Sequence, residues 1–174
     1  NTIENQIGEA KKAYFKAASK LSKARTKAAK PLAAQVTEKI KELGIPHGEF
    51  SIDVAYKEDR QPSAEGLDEV EFLVAANPDQ PQRPLRKVAS GGELSRISLA
   101  IQVSTTNASH IPTLVFDEVD SGIGGPTAAT VSRYLKTLAG HRQILSITHL
   151  AQVASSGTHH LFVGKSVVDG GTQT

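Results

Sequence analysis

The stretch Leu114-Val115-Phe116-Asp117-Glu118 decides the fold, because it is the end of a predicted apolar strand that is followed directly by two acidic residues. On both sides of this strand, segments with a helical spacing of apolar residues alternate with short apolar runs. The predicted elements are a helix at 92–107, a strand at 113–116, a helix at 126–138, and strands at 143–148 and 160–163. Buried strands that alternate with helices indicate an α/β fold with a mainly parallel sheet, covered on both faces.

Two strand ends of this sheet carry polar side chains that suit nucleotide chemistry. In an open parallel sheet, ligands collect at the carboxyl ends of the strands. Asp117 there would orient Mg²⁺, and Glu118 could polarise a water for phosphoryl transfer. His149, which ends Ser146-Ile147-Thr148-His149, could bond a terminal phosphate or the attacking water. Taken alone, Asp-Glu at a strand end is often a helix cap or a surface loop, and a lone histidine is often structural.

A glycine loop precedes the helix at 92–107, with the sequence Ala89-Ser90-Gly91-Gly92-Glu93-Leu94-Ser95-Arg96. Two glycines let the backbone approach a ligand closely, and Ser90 can cap the helix or contact a phosphate. The free N–H groups of the helix N-terminus attract an anion. The loop is therefore a candidate phosphate cradle, and the alternative is an ordinary capped helix after a glycine turn.

The N-terminal segment has the pattern of a coiled-coil strand. Its apolar residues recur at alternating spacings of four and three: Ile3, Ile7, Ala10, Tyr14, Ala17, Leu21, Ala24 and Ala28. Half of these positions are alanine, so the helix would need a partner, and the alternative is an amphipathic helix packed on the domain. Pro31 interrupts the pattern, which predicts a second helix from Pro31 to Leu43 that stops at Gly44 and Pro46.

A small antiparallel part is predicted next. Phe50, Ile52, Val54 and Tyr56 alternate with polar or small residues, as a half-buried strand requires, and residues 70–74 repeat the pattern. The charged segment 57–68 between them indicates a loop. Residues 77–84 contain three prolines and are expected to form a linker.

Composition and charge restrict the function. The 174 residues include no Cys and no Met and begin at Asn1, so we expect a cytoplasmic piece of a longer polypeptide without disulfides or thiolate metal sites. No apolar run is long enough to span a bilayer. The formal net charge is +2, but residues 11–30 contain basic residues and no acid. Such a strip could attract nucleic acid, and the alternative is a solvated helix face.

The order of these motifs resembles the second half of ATP-binding-cassette ATPases. In that resemblance, Ser90-Gly91-Gly92-Glu93-Leu94 is similar to the signature motif, Asp117 to the Walker B acid and Glu118 to the catalytic carboxylate. Val119-Asp120-Ser121-Gly122 is similar to the D-loop, and His149 occupies the switch-histidine position. The resemblance implies catalytic roles for Glu118 and His149 and a metal role for Asp117. It implies cofactor-binding roles for Ser90, Gly91, Gly92, Glu93 and Asp120.

Within that superfamily, the motifs around 87–96, 116–126 and 148–154 resemble the RecN family of bacterial DNA repair proteins. Ala151 stands where the family usually has proline, a departure that leaves His149 in place. The resemblance implies a coiled-coil arm segment with a connecting helix at 1–43 and the C-terminal part of an ATPase head at 44–174. It implies ATP and Mg²⁺ as cofactors, and DNA and a second head (a homodimer) as partners, near the nucleoid and without a membrane.

One segment is a decoy for a phosphate-binding loop. Gly164-Lys165-Ser166 matches the end of a P-loop, but the glycine required five residues earlier is replaced by His159, and the following residues indicate a strand edge. The resemblance implies that the P-loop lies in an N-terminal segment missing from this chain. The favoured hypothesis is an ATPase acting in double-strand-break repair, and the alternative is a coiled-coil DNA-tethering module with little ATPase activity.

Overall fold

The computed structural model describes residues 2–106, 108, 111–164, 166–168 and 171–173. The first element is helix α1 (Thr2–Glu42), which runs without interruption through Pro31. The predicted break at Pro31 is therefore wrong. A proline there removes one intrahelical hydrogen bond, the one to the carbonyl of Lys27, and both residues are exposed, so water can bind that carbonyl. The helix ends as predicted, because Gly44 has a φ of +86°, the left-handed conformation of a helix C-terminus.

The heptad stripe of α1 lies largely in solvent. Ile3, Ile7 and Leu21 are exposed, whereas the helix buries a different set of residues, Ala18, Ala29, Val36 and Ile40. Val36 and Ile40 belong to the core of the domain. The C-terminal half of α1 therefore packs on the domain as an amphipathic helix, whereas the first heptad residues, Ile3, Ile7 and Ala10, are exposed.

An antiparallel sheet follows, with strands β1 (Glu49–Tyr56), β2 (Asp68–Ala75) and β3 (Arg83–Pro84) in that order. Its register pairs Phe50 with Val74 and Val54 with Val70. The two longer strands are confirmed as predicted, and they agree with the alternation of apolar residues. The expected linker at 77–84 differs in one respect, because its last two residues pair with β2 as β3.

The loop between β1 and β2 is folded back onto α1. The Tyr14 hydroxyl donates to the Ser63 carbonyl at 3.2 Å and accepts from the Ser63 amide at 3.0 Å. Arg25 donates to the carbonyl of Glu65 at 2.8 Å and to Oδ2 of Asp68, whose side chain is fully buried, at 3.0 Å. These contacts hold α1 against the domain over three of its turns, from residue 14 to residue 25.

The α/β part follows a short 3₁₀ helix at Leu85–Lys87 and consists of α2 (Gly91–Ser104), β4 (Thr113–Phe116), α3 (Gly125–Ala139), β5 (Gln143–Ser146) and α4 (Ala151–Ala154). Strands β4 and β5 are parallel, with Phe116 opposite Ser146. The α/β class, with a parallel and a small antiparallel sheet and a long N-terminal helix, is confirmed. Strand β5 ends two residues earlier than predicted.

Only one face of the parallel sheet is covered within the described residues. Phe116 joins residues of α2 and α3 in the core, and Leu114 and Ile144 pack against that core. On the other face, Val115, Leu145 and Ile147 are exposed. The prediction that both faces are covered is therefore wrong for this part of the chain, because the helices described lie on the side to which Phe116 points.

The C-terminal segment departs from the predictions at one point. Residues 160–164 have no regular structure, and Leu161 and Phe162 are more than 90% exposed, so the strand predicted at 160–163 is wrong. A strand needs a hydrogen-bonded neighbour, and no described segment pairs with this one. A hairpin of β6 (Ser166–Val168) and β7 (Gly171–Gln173) follows. Ser166 begins a strand rather than the helix of a P-loop, and Lys165 lies outside the described residues.

No helix in the described ranges combines the length and the apolar character that crossing a bilayer requires.

Candidate functional site

The two polar strand ends leave the parallel sheet at the same edge. The pairing of β4 with β5 continues past Ser146, because the Ile147 amide donates to the Phe116 carbonyl at 2.9 Å. Asp117 and Glu118 follow β4 directly, and His149 follows β5 after two intervening residues. All three side chains are exposed. The edge can therefore present two carboxylates and an imidazole to one ligand.

Glu118 has an unusual backbone conformation. Its φ of +55° lies in the left-handed region, which costs a residue with a side chain about 1–2 kcal/mol. It is the only such non-glycine residue in the described part of the chain. The turn closes through a hydrogen bond from the Ser121 amide to the Glu118 carbonyl at 3.0 Å. Strained backbone of this kind is often found at functional sites, because surrounding contacts can pay for it.

The glycine loop lies against this turn. Ser90 is the N-cap of α2, and its Oγ accepts from the Glu93 amide at 3.3 Å. A Cβ on Gly91 would overlap Oε2 of Glu118, and a Cβ on Gly92 would lie 3.2 Å from the Ser121 carbonyl oxygen. The glycines therefore allow the close contact between α2 and the turn. The capped helix and the phosphate cradle are compatible, because the first-turn amides of a helix have no intrahelical acceptor.

Asp120 is buried, with 1% of its surface exposed. Its Oδ2 accepts from the Thr148 hydroxyl and from the amides of His149 and Leu150, each amide at 3.1 Å. Its Oδ1 lies 3.3 Å from Nδ1 of His149. Burial raises the pKa of Asp120. The hydrogen bonds from Thr148, Leu150 and His149, together with the charge of His149, outweigh this effect, so the pKa of Asp120 lies below its ordinary value of 3.8.

Asp120 is thus placed differently from the other residues expected to bind the cofactor. Its carboxylate is occupied by the loop that carries His149, whereas Ser90, Gly91 and the carboxylate of Asp117 are exposed. Gly92 is buried, and Glu93 is half-buried.

Sequence reasoning assigned no role to three residues that organise the site. The Ser95 hydroxyl donates to the Asp117 carbonyl at 2.5 Å, and Nη1 of Arg96 donates to the Ser121 carbonyl at 2.9 Å. Thr148 donates to Asp120, as described above. Helical spacing could have indicated Arg96, because it lies one turn before Ala100 and therefore on the apolar face of α2.

Asp117 suits a metal ion that is shared with a phosphate ligand. Its carboxylate is exposed and makes no hydrogen bond or ion pair to any side chain in the described ranges. Those ranges contain no group of three or more histidines and acids that could hold a metal by themselves. Mg²⁺ is often bound by one or two carboxylates together with substrate phosphates and waters, which fits a single carboxylate at the sheet edge.

Comparison with known proteins gives a consistent result. No protein-family profile matches the chain. The chain is 46% identical over 172 residues to the DNA repair protein RecN of Xylella fastidiosa (strain Temecula1 / ATCC 700964), an alignment that covers 99% of this chain and 31% of the relative. It is 44% identical over 174 residues to the DNA repair protein RecN of Vibrio cholerae, covering 100% of this chain and 31% of the relative.

Among solved structures, the chain resembles the Smc head domain with a coiled coil and joint from Pyrococcus yayanosii. The TM-score is 0.57 at 21% identity, and the match covers 97% of this chain and 29% of that one. This likeness supports the fold alone. The chain spans 31% of the length of the two relatives to which it is aligned almost completely. Over that span, the chain is homologous to the DNA repair proteins RecN.

Proposed function

We propose that the chain is part of the ATP-hydrolysing head of an SMC-like DNA repair protein. ATP joins two heads, hydrolysis releases them, and the cycle serves the repair of double-strand breaks. One observation carries the proposal: the parallel pairing of β4 and β5 brings Asp117, Glu118 and His149 to one sheet edge, with the N-terminus of α2 beside them. Similarity to the DNA repair proteins RecN, at 46% identity over 172 residues, supports it.

In this proposal, the exposed residues of the edge act on ATP. Glu118 accepts a proton from the attacking water, whose oxygen forms a bond to the γ-phosphorus while the bond to the ADP oxygen breaks. His149 donates a hydrogen bond to the terminal phosphate and is held in place by Asp120. Asp117 would hold Mg²⁺, which neutralises phosphate charge when it is bound.

The N-terminus of α2 would serve the nucleotide of a second head. Ser90, Gly91, Gly92 and Glu93 form the first turn of α2 and its cap, where a helix attracts anions. Gly91 and the cap are exposed, so a phosphate carried by another head can reach them. The two heads of a homodimer would then each complete the other's site.

The exposed face of the parallel sheet supports a head that is completed by more polypeptide. Val115 is 62% exposed and Ile147 is 59% exposed, and Leu145 extends the same face. Water on such a face is unfavourable, and the chain spans only 31% of the length of its relatives. We therefore propose that the P-loop segment, in the remaining part, covers this face. Residues 1–43 would form the arm segment and residues 44–174 the head part, in the cytoplasm near the nucleoid.

Reconstitution of the head tests this function. We expect this chain alone to release no phosphate from ATP. A mixture with the P-loop segment should release phosphate, because hydrolysis at the γ-phosphate needs the P-loop of that segment and the catalytic residues of this chain. Val115→Asp should abolish turnover in the mixture, since it places a charge on the face to be covered. Val70→Asp is the matched control, an exposed valine on the antiparallel sheet. Turnover by this chain alone, or turnover that Val115→Asp leaves unchanged, would contradict the proposed assembly.

A second function, DNA tethering by the arm, is favoured by a separate observation. The lysines of α1 are spaced so that six of them line one face of the helix: Lys12, Lys16, Lys20, Lys23, Lys27 and Lys30. All six are exposed, and the stripe is about 27 Å long at 1.5 Å per residue. Arg25 lies on the opposite side of the helix, where it binds Asp68. The stripe is therefore a continuous positive surface that fits a phosphate backbone.

Charge reversal on this lysine stripe tests the tethering function. Lys20→Glu, Lys23→Glu and Lys27→Glu together should weaken binding to duplex DNA at least about 10-fold and reduce the salt dependence of binding, because fewer counterions are released. The control carries the same charge change at exposed lysines off the stripe, Lys11, Lys57 and Lys136. Equal affinity losses in the two triple variants would show a net-charge effect and would contradict a DNA-binding stripe. Fluorescence anisotropy at several salt concentrations measures both quantities.

A further inference from the structure

Arg96 is a buried cation that forms no ion pair with a carboxylate within the described part of the chain. It lies in the second turn of α2 with 6% of its surface exposed, and its Nε has no hydrogen-bond partner. Burial lowers the pKa of Arg96, whereas the charge of Glu93 raises it. A buried, incompletely bonded guanidinium destabilises a fold compared with an apolar residue of similar size. Its position in an otherwise apolar helix face therefore calls for an explanation other than stability.

Arg96 donates a hydrogen bond to the turn that carries Glu118. Its Nη1 donates to the Ser121 carbonyl at 2.9 Å, and one residue earlier Ser95 donates to the Asp117 carbonyl at 2.5 Å. The two contacts therefore hold the two ends of the segment 117–121. Gly92 completes the contact from the same helix, because a Cβ there would lie 3.1 Å from both the Ser121 Cβ and Nη1 of Arg96.

The held segment contains the strained residue and the buried acid. Glu118 has a φ of +55°, and the turn is closed by a hydrogen bond from the Ser121 amide to the Glu118 carbonyl. Asp120, inside the same segment, binds the loop of His149. A turn with a left-handed residue is kept only where its surroundings over-determine it. Displacement of Ser121 would therefore move Glu118 and, through Asp120, His149.

We propose that Arg96, together with Ser95, is a positioning residue for hydrolysis: it clamps the Asp117–Ser121 turn against α2 and so sets the positions of Glu118 and His149. This inference rests on the proposed ATPase function. Arg96 does not touch the reacting atoms, and acts through the Ser121 carbonyl. The clamp also connects α2, whose N-terminus would bind the nucleotide of the second head, to Glu118, whose carboxylate would act on the nucleotide of this head.

Hydrogen exchange in this chain tests the clamp without any nucleotide. In Arg96→Ala, we expect the Ser121 amide to exchange at least about 10-fold faster, because its acceptor at Glu118 is no longer held in place. Amides in the middle of α3, such as that of Leu135, should keep their rates. Arg86→Ala is the control, an exposed arginine paired with Glu71. Equal acceleration in the turn and in α3 would show that Arg96 only stabilises the fold, which would overturn the proposal.

Turnover by the completed head tests the positioning role. Arg96→Ala should lower kcat about 10- to 100-fold and leave KM for ATP within about twofold, because misplacement of a catalytic group affects the chemical step. Added guanidinium should restore part of kcat in Arg96→Ala and none in Glu118→Gln. An unchanged kcat, or a loss carried by KM alone, would overturn the proposal. If the wild-type head shows no turnover that depends on Glu118, the proposed function fails, while the exchange experiment still decides whether the clamp exists.

Discussion

Glu118→Gln is expected to lower ATP turnover by the completed head at least about 100-fold and to leave ATP-bound dimers in solution. Removal of a general base typically costs 10²- to 10⁴-fold, and glutamine keeps the size of the side chain without accepting the proton. Binding of ATP should be retained, because Glu118 is proposed to act on water. Phosphate release and light scattering with ATP measure the two effects.

The control for this variant is Glu69→Gln, an exposed glutamate on β2, far along the chain from the sheet edge. It should turn over ATP like the wild type and should dissociate after hydrolysis. Persistence of turnover in Glu118→Gln would contradict the assignment of Glu118 as the base. Loss of both turnover and dimers would place Glu118 in nucleotide binding instead.

Asp120→Ala is expected to destabilise the chain by about 2–4 kcal/mol and to reduce turnover of the completed head. Three donors lose Asp120 as an acceptor: the Thr148 hydroxyl and the amides of His149 and Leu150. The Thr148 hydroxyl keeps the Leu150 carbonyl at 3.4 Å and the Leu150 amide keeps Oγ1 of Thr148 at 3.2 Å, so the His149 amide is affected most. A buried donor left without an acceptor costs about 1–3 kcal/mol, and entry of water beside the exposed His149 reduces the sum. Urea unfolding measures the stability. Asp117→Ala is the control, because it removes an exposed carboxylate and should change stability by less than about 0.5 kcal/mol.

The stabilising effect of Asp120 should depend on pH in a defined direction. The pKa of Asp120 in the folded chain lies below its ordinary value of 3.8, so the folded state favours the ionised form. The stability difference between wild type and Asp120→Ala should therefore be complete above about pH 5 and should shrink as the pH falls through 3.8 towards the folded pKa. A difference that grows with acidity, or a stability of Asp120→Ala equal to that of the wild type at neutral pH, would contradict this role.

The edge of the parallel sheet could be predicted from the sequence because its signals are local. An apolar run that ends in Asp117-Glu118 and another that ends near His149 each identify a strand end, and parallel strands place their carboxyl ends together. The glycine loop before α2 is a similar local signal, since Ser90 has the side chain of an N-cap. These patterns depend on backbone periods of 2 and 3.6 residues, which a short stretch encodes by itself.

The predictions that were wrong concern contacts between distant parts of the chain. Pro31 carries a strong local signal for a helix break, but the packing of Val36 and Ile40 in the core keeps α1 continuous. The apolar run at 160–163 has the composition of a strand, yet no described segment pairs with it. Local propensity is a weak term, and tertiary packing or the lack of a partner overrides it.

By itself, the sequence determined α2, β4, α3 and β5, the glycine loop, the acids at the end of β4 and the heptad spacing of α1. Only the tertiary structure decided what each polar residue binds. Asp120 binds the loop of His149, and Arg96 binds the Ser121 carbonyl. Arg25 binds the buried Asp68 and is therefore not part of the lysine stripe. The physical reason is how far apart along the chain the interacting residues lie. Periodicity and capping are set by neighbours within a few residues, whereas these contacts join residues 25 to 43 positions apart, and burial alone selects among the possible partners.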